Sequence, residues 1–136
     1  MKKTVVVIFA LLLCICSVAA CGQASKVNVK PDNMSDRVYE LGCAALETAD
    51  EFIAGDISSS TARTKLAAAQ RDVDYIVDQE TAEHDGTLVG SDVWKDSSVS
   101  LNIMLLDYKI QTKEFGTGTM SDVIDQRDSL AELLGK

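Results

Sequence analysis

The sequence predicts an all-α fold: an up-down-up-down four-helix bundle standing behind an export signal and a short tether. Three observations carry this expectation. From residue 35 onward apolar side chains recur at three- and four-residue spacing, and the recurrence is broken only near Gly55, between Gly86 and Gly90, and at Gly116 and Gly118. No run alternates with period two for long enough to make a strand. Four helical segments joined by three short connections fold most simply into neighbours that run antiparallel.

Residues 1–20 stand outside that fold. Lys2 and Lys3 form a positive start, and Val5 to Cys16 is an uncharged apolar run of the length expected of a secretory signal. Next comes Val18-Ala19-Ala20-Cys21, which resembles the lipobox of bacterial lipoproteins: a branched apolar residue, two small residues, then a cysteine. The resemblance implies that Cys21 is diacylated, becomes the new N-terminus and holds the chain at the extracytoplasmic face of the bacterial cell membrane. Two acyl chains suffice for stable anchoring where one does not, at about 0.8 kcal/mol per buried methylene. The alternatives are an ordinary secreted protein cut after Val-Ala-Ala, and an uncleaved anchor. The second falls short of the roughly 20 apolar residues that a span requires.

Loss of the leader changes the charge and the cysteine count. Lys2 and Lys3 leave, so eleven bases face all 21 acids, a formal charge of −10 instead of −8. So negative a body has no footprint for a phosphate backbone, and nucleic acid is excluded as a partner. Cys14 and Cys16 leave with the signal and an acylated Cys21 has no thiol, so Cys43 stands alone and no intramolecular disulfide is expected. Within Gly42-Cys43-Ala44-Ala45 it reads as a small packing residue, with a reactive or dimer-forming thiol as the alternative.

The expected organisation is a signal peptide over 1–20, a lipidated tether over 21–34 and a bundle over 35–136. The tether is polar and carries the only proline, Pro31. Ser35 suits an N-cap for a first helix over 36–54, with Val38, Leu41, Ala45, Leu46, Ala49, Phe52 and Ile53 on one stripe and Gly55 as its stop. The serines at 58–60 offer caps for a second helix through Ala62, Leu66, Ala69, Val73, Ile76 and Val77 to about residue 83. The stretch from Leu46 to Leu66 resembles helical hairpins of small lipoproteins of Gram-positive bacteria that have no assigned activity. A third helix is expected from about residue 92 to 114. Its middle, Ser97 to Leu106, is uncharged, and Ile103-Met104-Leu105-Leu106 is apolar on successive faces. Such a helix belongs at the centre of the bundle, or else part of it meets another chain as in a homodimer. Thr119 with Asp122 three residues on forms a capping-box pattern, and Met120, Val123, Ile124, Leu130, Leu133 and Leu134 complete a fourth helix.

The search for chemistry mostly excludes it. A di-iron bundle needs two Glu-x-x-His motifs, and this chain has one histidine, His84, with Thr81 where the glutamate would stand. Folding the first hairpin sets Cys43 opposite about Gln70, which leaves His84 some fourteen residues, roughly 21 Å, further on and out of reach of a thiol–imidazole pair. His84 suits the negative end of the second helix as a cap. There is no Gly-x-Ser-x-Gly elbow, and Gly116-Thr117-Gly118 lacks the Gly-Lys-Ser/Thr of a phosphate loop. No catalytic residue, metal site or cofactor is therefore expected.

What remains is surface. Asp74, Asp78 and Asp85 fall at spacings of four and seven and share a face of the second helix, joined by Glu80 and Glu83. They crowd the negative end of its dipole, a cost that a docking face for a basic partner would explain; a solvated face is the plainer reading. Trp94 either anchors a partner or closes one end of the bundle. The sequence thus points to a lipid-anchored, non-enzymatic interaction module with an acidic helical surface. One version is an immunity or inhibitor protein that intercepts a cationic peptide or protein. The alternative is a small-molecule binder with a pocket between helices lined by Trp94, Met104 and Tyr108.

Overall fold

The computed structural model describes residues 29–83 and 91–136, the side chains at 91 and 92 excepted. Four helices make up these residues: α1 (Asp36–Ala54), α2 (Ser59–Glu83), α3 (Ser91–Glu114) and α4 (Met120–Leu133). Among the described residues there is no strand. Helices consecutive in sequence pack side by side and α4 closes back on α1, so the chain is the up-down-up-down bundle that its periodicity predicts.

Local chemistry sets the ends. The Ser35 side chain accepts the backbone N–H of Val38 and opens α1, and Gly55 at φ 84° closes it. The N–H groups of Gly55 and Asp56 return to Phe52 and Glu51, which uses carbonyls the helix end would leave bare. Ser58 Oγ accepts from Thr61 N at 3.1 Å and starts α2. Thr119 and Asp122 complete a reciprocal capping box at the head of α4: Thr119 N donates to Asp122 Oδ2 at 2.7 Å and Asp122 N to Thr119 Oγ1 at 3.2 Å.

The core is one cluster running the length of the bundle. Val38, Ala45, Ala49, Ala62, Leu66, Val73, Val99, Ile103, Leu106, Ile110, Val123, Leu130 and Leu134 are all buried within it. Gly42 lies where α1 crosses the end of the chain; a Cβ there would stand 2.8 Å from Leu134 Cδ2 and 3.2 Å from Val99 Cγ1, so its lack of a side chain lets the helices approach. Polar ties pin each neighbouring pair. Lys65 reaches Glu51 at 2.6 Å between α1 and α2, and Arg63 reaches Asp107 at 3.0 Å between α2 and α3. Gln126 donates to Asn102 at 2.9 Å between α3 and α4. The Arg127 fork grips both oxygens of Asp50 at 2.7 and 3.1 Å between α4 and α1. That hydrogen bonding pushes the Arg127 guanidinium still further up from its ordinary value.

Two features depart from the sequence expectation. The chain before residue 35 is not all tether: Met34 is buried in the core, Lys95 Nζ donates to the Asp32 carbonyl at 2.6 Å, and Lys30 bonds the Met34 carbonyl and Asp36. Asp96, acidic and on the third helix, is fully buried. Both its carboxylate oxygens accept the Ser35 N–H, at 3.2 and 3.3 Å, so α3 helps hold the entry to α1.

Ile103→Ala opens a hole in a core with no exposed route for relaxation and should cost about 2–5 kcal/mol, read from urea unfolding. The Asp122 carboxyl is held below its ordinary 3.8, chiefly by the Thr119 side chain and then by its backbone N–H. Because the folded value is the depressed one, this contribution is complete above about pH 4 and is lost as pH falls through the lowered value. Asp122→Asn should therefore flatten the acid limb of a melting temperature against pH curve below pH 4, while leaving its shape above pH 5 unchanged.

Candidate functional site

Two surfaces carry the residues singled out from the sequence, and both are outward faces of helices. On α2, Asp74, Asp78 and Glu83 are exposed, whereas Glu80 is half-buried. Asp85 and His84 lie outside the described residues. Asp74 is drawn toward α3, where its carboxylate accepts the Ser100 hydroxyl. Asp72 is exposed on the same helix.

Elsewhere among the described residues some acids are paired and others, Glu47, Asp56, Asp125 and Glu132 among them, are in no ion pair. Asp36, Glu40, Asp50, Glu51, Asp107, Glu114 and Asp128 each sit in an ion pair. Asp72, Asp74, Asp78 and Glu83 form no ion pair among the described residues, and Arg71, the base nearest them in sequence, donates to the Ala67 carbonyl. α2 ends without a basic residue in its last turn. Four acids without an ion pair among the described residues thus stand on the C-terminal half of α2, where they also oppose the dipole.

Tyr75 stands in the middle of this acid-rich stretch with 67% of its surface exposed. Asp72 and Asp78, three residues before and after it, share its side of the helix. The sequence reading passed over Tyr75, although an aromatic residue set three from an acid on each side was visible there.

The second surface lies on the outside of α3. The inner seam of that helix is Asp96, Val99, Ile103, Leu106 and Ile110, all buried. Opposite them Trp94, Leu101, Met104 and Tyr108 face outward, and Phe115 follows at the helix end. The expectation that the apolar middle of the third helix is buried nearly all round is therefore corrected: α3 buries one stripe and exposes another. The pocket expected from Trp94, Met104 and Tyr108 is corrected with it, because all three point away from the helix interfaces. Trp94 is an exposed side chain and not an end plug of the core. Leu101 and Phe115 were not singled out in the sequence, because apolar residues on an amphipathic helix are read as core.

Cys43 is half-buried in a shallow groove on α1 lined also by Tyr39, Glu40, Glu47, Asp50 and Lys136. Burial, and then the neighbouring Cys43 thiol, push the Tyr39 hydroxyl up from its ordinary value, and Lys136 Nζ lies 5.9 Å from the Tyr39 ring centre. A second groove runs between α1 and α2 over Ala44, Thr48, Ala68 and Ala69, edged by Glu47, Glu51 and Lys65. Both are open surface depressions.

Among the described residues no three His, Cys, Asp or Glu side chains stand together as a metal-holding group, and no helix is long and apolar enough to cross a membrane. No protein-family model matches the chain, and no curated protein or solved structure matches it either.

Proposed function

We propose that this chain is a lipid-anchored interaction module on the extracytoplasmic face of a bacterial membrane, held there by acyl chains on Cys21, and that it works by docking and not by catalysis. The docking surface is the acid-rich half of α2, with Asp74, Asp78 and Glu83 exposed around Tyr75, and its partner is a cationic protein or peptide. An immunity or inhibitor role, interception of a cationic toxic peptide or enzyme at the membrane, is the specific form that this chemistry fits.

The observation that supports the reading is the grouping of exposed acids around an exposed tyrosine on the C-terminal half of α2. Asp72, Asp74, Asp78 and Glu83 form no ion pair among the described residues, and they stand toward the end of a helix where the dipole makes them costly. A basic partner would relieve that repulsion on binding, and negative potential focused on one patch speeds its encounter. Tyr75 adds an aromatic platform for the partner's Arg or Lys side chains. Net negative charge also disfavours close approach to anionic lipid, which leaves the acidic face turned to other proteins.

Two measurements test this. Metabolic labelling with a palmitate analogue should mark the unaltered chain and not Cys21→Ser, which should also leave the membrane fraction; an unlabelled, equally membrane-bound chain would refute the anchor. In intact cells, crosslinking and mass spectrometry should recover a basic envelope protein or peptide with the unaltered chain. Recovery should fall at least tenfold with Asp74→Asn, Asp78→Asn and Glu83→Gln combined. An undiminished set of crosslinked proteins would refute the docking surface.

A further inference from the structure

We propose that the outer face of α3 is a dimer seam, and that its occupant is a second copy of this chain packed antiparallel about a two-fold axis between Met104 and Leu105. Trp94, Leu101, Tyr108 and Phe115 follow one another at seven-residue intervals and are 67, 50, 55 and 70% exposed; Met104, between the middle two, is 43% exposed. An apolar repeat of seven is the pitch at which one helix seats against another. The row spans roughly 31 Å at 1.5 Å per residue, nearly the whole of α3. Five of the eight large apolar side chains exposed among the described residues belong to it.

The choice of a second copy rests on charge, area and symmetry. No charged residue occurs between Ser97 and Leu106, and the two acids that border the row are held within their own fold, Asp107 by Arg63 and Asp74 by Ser100. A row without charge offers nothing to a cationic partner, and although Lys95, Lys109 and Lys113 lie on the same helix, the strongly negative body as a whole disfavours an anionic bilayer. With aromatic side chains of roughly 150–250 Å² each, the exposed fractions leave on the order of 500 Å² of apolar surface per copy. Two such faces bury about 1,000 Å², the lower bound of a specific interface, where association is weak and concentration-dependent. In the antiparallel register Trp94 meets Phe115, Leu101 meets Tyr108, and Ser97 and Ser98 lie opposite Gln111 and Thr112, so wide and narrow layers alternate. The same register sets the acid-rich ends of the two α2 helices at opposite ends of the dimer, whereas a parallel pair would bring them together.

The seam lies on α3 and meets the acidic docking surface of α2 only at Asp74, and the substitutions that test the two surfaces differ, so either property can fail without the other. The full chain, purified in mild detergent at about 10 µM, should sediment with the mass of two chains. Leu101→Asp with Tyr108→Asp should return it to one chain, with its helical circular dichroism and melting temperature kept. In a Cys43→Ser background, Met104→Cys should form a disulfide-linked dimer under mild oxidation and Leu101→Cys should not. A single-chain mass for the unaltered protein, or a two-chain mass that survives the double substitution, would overturn the seam. Preferential self-crosslinking of Leu101→Cys would overturn the antiparallel register. Row-dependent binding of the Cys21→Ser chain to phosphatidylglycerol vesicles, or row-dependent crosslinking to a different protein with no dimer, would assign the face to another occupant.

Discussion

The bundle depends on the burial of one stripe of α3. Asp96, Val99, Ile103, Leu106 and Ile110 recur at alternating steps of three and four, and they meet α2 and α4 on either side and α1 across the diagonal. Removing that seam would leave α1 and α2 a hairpin without a roof, and a single hairpin of two helices cannot bury enough surface to offset the ordering of its chain. The seam also carries the buried carboxylate of Asp96, whose bonds to Ser35 N–H tie the first turn of the first helix to the third. A charge taken out of water in this way is costly unless its partners are fixed, so it penalises any register in which α3 slides against α1. Packing supplies the stability, and the carboxylate selects the alignment.

α3 has a second apolar stripe, and this is where architecture and function meet. A surface helix ordinarily turns a charged face to water, and solvation of that face limits association with other molecules. Here the outward face is serine, leucine, methionine and aromatic residues, while acids line α1, α2 and α4. The separation has a physical consequence. A uniformly negative surface would repel a second copy from every direction, and a uniformly apolar one would associate without register. Apolar contact confined to one helix face, with negative charge spread over the other helices, would allow association along a single line and oppose it elsewhere.

Most of the fold was legible because its signals are local. Ser35, Gly55 and the Thr119–Asp122 pair each act within four residues of chain, and the structure uses each in the role that its chemistry predicts. The inward stripe of α1 was equally plain, since its polar face leaves one solution. α3 was different: with apolar residues on successive faces, periodicity cannot say which stripe is inside, and the assumption that apolar means buried assigned Trp94, Met104 and Tyr108 to a pocket. The choice is made by partners distant in sequence, Ser35 for Asp96 and Asp74 for Ser100, which fix the rotation of the helix. The burial of Met34 and the docking of Lys95 on Asp32 were hidden for the same reason: both depend on where α3 lies, and nothing local announces them.

The placement of charge on α2 follows from what the other helices do with theirs. An ion pair across two helices requires a base within reach: Lys65 and Arg63 at the start of α2 and Arg127 midway along α4 make such pairs, while Lys30 and Arg37 pair within the first helix and its approach and Lys95 is taken up by the Asp32 carbonyl. Exposed pairs of this kind contribute only about 0–1 kcal/mol each, so their absence near Asp78 and Glu83 costs the fold little directly. The cost that remains is repulsion among the acids themselves and with the carbonyl end of the helix, and it could be removed by a single lysine in the last turn. The chain has none there, and its one exposed tyrosine on α2 sits among the acids. The acids around Tyr75 are thus a feature that folding does not require and that a small change would relieve, which is why a basic partner is the reading proposed for them.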